Sequence, residues 1–167
     1  MTAEISEKDF ETTIVKTLTG QLPCTLEEDN PYVNPHFHYK ERTSADYDRE
    51  LCLIPDDLCA FIYTTQAEEW EKLKRQRGTE TKKAFLRRVK SEIQRRGTID
   101  VLRKGIKDLG CTFHLTYFKP NSGLNQTHKD LYRSNKFTVI RQLYFSEQNR
   151  NSLDLSLFVN GIPIFTA

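Results

Sequence analysis

The sequence predicts an α+β fold, with helices first and a mainly antiparallel or mixed sheet after them. Up to Gly110, apolar residues recur at helical spacing; beyond it, they alternate with polar residues at the period of a strand. Turn residues agree with this division. Gly20, Gly78 and Gly97 interrupt or close helical runs, whereas Asn160-Gly161 sits between two apolar runs as a hairpin signal. One domain is therefore expected, with a helical part over residues 1–110 and a strand part over 111–167.

Ser6 and Asp9 form a variant capping pair, and Phe10, Ile14 and Leu18 predict a first helix over residues 7–18. The stretch DNPYVNPHFHYKERTS is rich in turn formers and reads as irregular. From Ser44 the helical period returns through Tyr47, Leu51 and Ile54. Pro55-Asp56-Asp57 then opens a further helical run whose apolar face is Leu58, Phe61 and Ile62. Cys52 and Cys59, seven apart, fall on one face of this helical reading as small buried thiols. Phe85, Leu86, Val89 and Ile93 mark a helix near 80–96. Thr98 can cap the next one, with the stripe Ile99, Leu102, Ile106 and Leu109.

Three strands follow, and a fourth begins. In the first, Cys111, Phe113, Leu115 and Tyr117 alternate with polar residues, and PNSGLNQTHKD then reads as a loop. The second, NKFTVIRQLYFS, sets Phe137, Val139, Leu143 and Phe145 on one face, with Arg141 intruding there. The third, SLDLSLFV, places Asp154 on the face opposite Leu153 and Leu155. After Asn160-Gly161, the run from Ile162 to Phe165 starts the fourth strand. The sequence is expected to stop one strand short of a whole domain.

Composition narrows the function classes. The 167 residues are 37% hydrophobic and 29% charged, enough apolar material for a core. No run approaches the ~18–20 apolar residues of a membrane span. The N-terminus lacks the basic and apolar regions of a secretory signal, and four cysteines are too few for a disulfide scaffold. A cytoplasmic location with no membrane partner is expected. The net charge of +2 conceals a strong polarity. Residues 1–70 carry 5 Lys/Arg against 15 Asp/Glu, whereas residues 71–107 carry 14 against 4. Such asymmetry points to a polyanionic partner.

Asp154 is the first candidate for chemistry, because a carboxylate inside an apolar strand is either a solvent-facing edge residue or a metal ligand. Mg²⁺ takes hard oxygen donors, usually one or two from the protein. Pairing Val159 with Ile162 would set Asp154 opposite Ala167. A bulge would instead set it opposite the position that follows. Arg141, beside Gln142, is either a snorkelling or ion-paired arginine or a phosphate clamp. In the basic run, Arg87 and Arg88 mark a surface that is either a solvated helix face or a contact for DNA or another subunit.

The segment RQLYFSEQNRNSLDLSLFVNGIPIFTA, with TTQAEEWEKLKRQRG, GTIDVLRKGIK and YFKPNSGLNQ before it, resembles the N-terminal region of the R subunit of type I restriction-modification enzymes. The resemblance implies a restriction-endonuclease-like core of the PD-(D/E)XK type, whose metal-binding aspartate matches Asp154. It also implies a Glu-x-Lys pair directly after the returning strand, which this sequence does not contain. A glutamate from the first helix is matched best by Glu11, with Glu7 and Glu4 as neighbours. The implied activity is Mg²⁺-dependent cleavage of double-stranded DNA, with this segment inactive alone. ATP would belong to the motor of the full subunit, not to this segment. The implied partners are the modification and specificity subunits.

Overall fold

The computed structural model describes residues 6–22, 38–121, 124–146 and 150–167. Helix α1 (Glu7–Leu18) begins where the sequence predicts it. Ser6 caps it, the Asp9 N–H donates to the Ser6 hydroxyl, and the Asp9 carboxylate accepts in return. Strand β1 (Lys40–Arg42) follows, then α2 (Pro55–Thr65), α3 (Ala67–Arg77), α4 (Thr81–Arg96) and α5 (Thr98–Lys104). A short hairpin comes next, β2 (Ile106–Asp108) with β3 (Cys111–Phe113), and then α6 (Gln126–Arg133). Strands β4 (Phe137–Tyr144), β5 (Ser152–Val159) and β6 (Ile162–Thr166) complete the chain.

The main sheet has the order β1-β4-β5-β6. Strand β1 runs parallel to β4 and the other pairs are antiparallel, so the fold is α+β with a mixed sheet. The largest core packs α2, α3, α4 and α5 around the β2–β3 hairpin, with Ile162 of β6 reaching in from the sheet. Phe85 sits at its centre, edge-on to Trp70 at 5.4 Å and to Phe113 at 4.9 Å between ring centroids. Two smaller clusters cover the two faces of the sheet. Val15, Ile14 and Leu18 of α1 pack on Val139 and Leu155. On the other face, Ile54 and Tyr47 pack on Ile140, Leu143 and Phe158.

Five expectations are corrected. The segment from Ser44 to Ile54 is not helical beyond a 3-10 turn at Ser44–Asp46. The Leu51 N–H donates to the Asp48 carboxylate at 2.8 Å, a local bond that competes with helix formation. Cys52 is consequently exposed at φ 57°, while Cys59 is buried in α2, so the two do not share a helix face. Helix α5 stops at Gly105; Ile106 enters β2, and Ile99 and Leu109 are 69% and 52% exposed. The 120–130 stretch contains most of α6, started by the Asn125 side chain accepting from the His128 N–H. Strand β1 lies in the stretch read as irregular. Its Lys-Glu-Arg sequence has no apolar alternation, and parallel pairing with β4 places it.

Asn160 and Gly161 form the predicted tight turn, with φ of 50° and 77°, the two positive angles that a type I′ hairpin requires. The turn also packs on α2. The Ile54 N–H donates to the Gly161 carbonyl at 2.8 Å, and a Cβ at Gly161 would fall 2.3 Å from the Ile54 oxygen. The Asn160 side chain is fully buried. Its oxygen accepts from the Lys136 N–H at 2.7 Å, and its amide donates to the Leu115 carbonyl and the Asn135 side-chain oxygen, both at 2.9 Å. Asn135 in turn donates to the carbonyls of Tyr117 and Tyr132. Asn160→Ala strands buried donors and acceptors at a positive φ. It is expected to cost at least about 3 kcal/mol, measured by denaturant unfolding.

Candidate active site

The regular β4–β5 ladder is interrupted once. Arg141 pairs with Leu155 and Leu143 with Leu153, while Gln142 and Asp154, level with each other between those pairs, do not pair. Gln142 adopts φ 50°. A left-handed residue that is not glycine costs about 1–2 kcal/mol. Its effect is to reset which face each side chain takes. Val139 and Leu155 meet α1, whereas Leu143 and Leu153 join the cluster on the other face. Leu143 therefore does not share a face with Val139, and Leu153 does not share one with Leu155. Both differ from the simple alternation that the sequence suggests.

The reset gathers the candidate residues. Arg141, Gln142 and Asp154 line a cavity of about 610 Å³ together with Glu7, Lys8, Glu11 and Thr12. The α1 contributors sit at spacings that put them on one side of a helix. Asp154 Oδ1 accepts from Gln142 Nε2 at 3.1 Å, and Gln142 Oε1 accepts from the Ser152 hydroxyl at 2.9 Å. Arg141 donates from Nε to Glu41 at 3.2 Å and from its terminal nitrogen to the Thr12 hydroxyl at 3.3 Å. Arg141 is thus ion-paired, half-exposed, and aimed along the cavity wall. Of the glutamates near the N-terminus, Glu11 and Glu7 line the cavity, and Glu4 lies outside the described residues.

Strand β6 approaches Asp154 through a bulge. Val159 pairs with Ile162 and Phe158 with Pro163, but Leu157 pairs with Phe165 and Ser156 with Thr166, so the register shifts by one residue. Leu155 and Ala167 then exchange backbone hydrogen bonds at 3.0 and 2.8 Å. The bulge therefore sets Ala167 level with Leu155 and not with Asp154, the bulged alternative of the two registers considered. Among the described residues no group of three or more His, Cys, Asp and Glu could hold a metal ion. The Asp154 carboxylate fits a partial ligand set, because Mg²⁺ commonly takes one or two carboxylates and completes its shell with water and phosphate oxygens, and Glu11 lines the same cavity.

Four side chains of the site escape the sequence reading: Lys8, Thr12, Glu41 and Ser152. Glu41 sits in a strand without apolar alternation. Ser152 is reached only once Gln142 is known to turn inward. Thr12 follows Glu11 and was accessible from helical spacing alone.

Arg87 and Arg88 are not part of this cavity. Arg87 lines another, of about 310 Å³, with Lys82, Lys83, Asp48 and Glu50. Arg88 is turned toward Glu92, at 3.1 Å. Glu92 is buried and also receives Arg95 at 2.7 Å and Arg96 at 3.1 Å. Arg96 and Lys104 share Asp100 as well. Several cations of the basic run are therefore held in internal ion pairs, four of them sharing the two carboxylates Glu92 and Asp100.

The hydrogen bond from Arg95, joined by Arg96 and Arg88, holds the Glu92 carboxyl below the usual glutamate range against the opposing effect of burial. A depressed folded pKa contributes stability that is present above the unfolded value near 4.3 and is lost as pH falls through the folded value. Glu92→Gln is expected to lower the melting temperature at pH 7. The gap to wild type should narrow as pH drops below about 4, followed by thermal unfolding across that range.

No curated protein and no solved structure matches this chain. A family model does. It is that of the type I restriction enzyme R protein N terminus, and it spans residues 45–167. The span contains Asp154, Arg141, Gln142, Arg87 and Arg88, while Glu11, Thr12 and Glu41 come from the chain before it. With most of its length matched, the chain belongs to the family of type I restriction enzyme R protein N-terminal domains.

Proposed function

We propose that this domain carries part of the nuclease site of a type I restriction endonuclease and serves Mg²⁺-dependent hydrolysis of double-stranded DNA. The observation that supports this reading most is the convergence of Asp154, Glu11 and Arg141 on one cavity, within a restriction-enzyme R protein domain. Asp154 would hold Mg²⁺, which when bound neutralises charge on the scissile phosphate and makes water a better nucleophile. The Arg141 guanidinium, exchanging Glu41 and Thr12 for a phosphate oxygen, would fix the backbone of the DNA. Glu11, on the α1 wall, would accept a hydrogen bond from the attacking water and orient it. A second acidic ligand and a lysine are proposed to follow Ala167. The bulged β6 register would bring the first of these positions level with Asp154.

Sequence recognition and methylation would fall to the specificity and modification subunits, and ATP to the motor of the full subunit, in the cytoplasm. No helix among the described residues is long and apolar enough to cross a membrane, in keeping with that setting.

A second reading is a docking module for DNA or a partner subunit. Lys83 and Arg87 favour it, one turn apart on α4 beside a cavity and without an ion-pair partner among the described residues. Arg88, occupied by Glu92 and the Lys107 carbonyl, suits that role poorly.

Asp154→Asn in the assembled restriction complex is expected to reduce DNA cleavage at least about a hundredfold, while ATP hydrolysis persists. Residues 1–167 alone should not nick plasmid DNA. Unchanged cleavage by the variant, or nicking by the isolated chain that Asp154→Ala abolishes, would overturn this assignment. Salt-dependent DNA binding that Lys83→Ala/Arg87→Ala removes and Arg88→Ala spares would support the docking surface in addition.

A further inference from the structure

We propose that Ser152 and Gln142 form a relay that sets the orientation of the Asp154 carboxylate, making Gln142 a positioning residue and not a DNA contact. The proposal deepens the reading of Asp154 as a metal ligand and rests on it for its functional consequence.

Gln142 is the only described residue of β4–β5 with a positive φ, and the irregularity is confined to one level of the ladder, with register kept on either side. A left-handed residue in mid-strand persists only where its surroundings over-determine it, and such residues cluster at functional sites. Here the unusual backbone turns the glutamine side chain onto its cross-strand neighbour. Without that turn, strict alternation would carry Gln142 to the face opposite Arg141.

Chemistry fixes which way round the amide sits. An ionised carboxylate offers only acceptors, so the group within 3.1 Å of Asp154 Oδ1 is the NH2 of Gln142. The amide oxygen is then left toward Ser152, whose hydroxyl donates to it at 2.9 Å. Ser152 pairs with Tyr144 in the regular ladder beyond the break, which holds the hydroxyl in place. The chain of bonds therefore runs from a fixed strand position to one oxygen of Asp154, leaving Oδ2 for a cation. Each end of the glutamine amide is engaged by a neighbour on β5, one donor with Asp154 and one acceptor lone pair with Ser152, which directs the amide to the strand. Groups that orient a ligating carboxylate in this way commonly influence metal affinity tenfold to a hundredfold.

A purely structural role predicts something different. If Gln142 were merely a strained strand residue, glycine would relieve the strain and change nothing else. The test uses the whole chain, with two readouts. In ¹⁵N-resolved NMR spectra, the Gln142 side-chain amide pair is expected to shift in both Ser152→Ala and Asp154→Asn. In titrations with Mn²⁺ followed by electron paramagnetic resonance, Gln142→Gly and Ser152→Ala should each weaken binding about tenfold or more. Combining them should add nothing further, and the melting temperature of Gln142→Gly should not fall.

Amide signals insensitive to Ser152→Ala and Asp154→Asn would overturn the relay. So would Mn²⁺ binding that is lost in Asp154→Asn but unchanged in Gln142→Gly and Ser152→Ala, a result that leaves the metal reading standing. Mn²⁺ binding unaffected by Asp154→Asn would sink the metal reading itself. The amide shifts would then decide the relay alone.

Discussion

The side-chain amide of Asn160 joins the two halves of this molecule, and the strand residues of the cavity depend on the register it helps to set. It holds the start of β4 through the Lys136 N–H, the helical layer through the Leu115 carbonyl, and the α6–β4 junction through Asn135. Buried in a low-dielectric setting, such amide bonds are strong when complete and costly when broken. Because Asn160 fixes where β4 begins relative to the hairpin, it also fixes the register of β4 against β5. That register is what sets Gln142 level with Asp154, far from the turn itself. The backbone bond from Ile54 to Gly161 adds α2 to the same junction. Nearby, Arg42 and Thr138 both bind the buried Asp57 carboxylate, clamping β1 and β4 to the first turn of α2.

Where the chain has an explicit local signal, the sequence reading matches the fold. Ser6 with Asp9, Gly97 after Ile93, and Asn160-Gly161 each mark a boundary that depends on neighbouring residues alone. The errors arise where a local bond or a tertiary contact outweighs periodicity. Asp48 captures the Leu51 N–H and prevents a helix whose apolar stripe looked adequate. Polar β1 has no pattern of its own and exists by virtue of pairing with β4. The site was legible in part for the same reason. Asp154, Arg141 and Glu11 stand out as charged residues in amphipathic elements, but nothing in RQLY announces a left-handed glutamine. The consequences of that one angle, including the inward turn of Gln142 and the part played by Ser152, were therefore out of reach.

The charge polarity of the sequence acquires a different meaning in three dimensions. Residues 71–107 hold most of the excess cations, yet Glu92 and Asp100 draw Arg88, Arg95, Arg96 and Lys104 into ion pairs along α4 and α5. Arg77 is similarly committed to the buried Asp108. A count of basic residues therefore overstates how many are free to turn toward a polyanion. What remains outside these ion pairs is a smaller set that includes Arg75, Arg103 and Lys107 as well as Lys83 and Arg87, which lie one turn apart on α4. The acidic N-terminal half is likewise used in part for internal contacts, with Asp46 and Asp57 sharing Arg42.

The break in the β4–β5 ladder also divides the two strands mechanically. On one side, from Phe137 to Arg141, the pair is sandwiched between α1 and the Ile54 cluster. On the other, from Leu143 outward, Leu143 and Leu153 still pack on the Ile54 cluster, while the α1 cluster no longer reaches the pair, which ends near the exposed residues Tyr144 and Phe145. Unpaired backbone at Gln142 and Asp154 is where fraying from the open end would halt, since local openings stop at cooperative boundaries. Ser152 belongs to the segment that frays, and Asp154 lies at its limit. Opening of the outer residues would loosen the Ser152–Gln142–Asp154 bonds without requiring the main helical core to unfold.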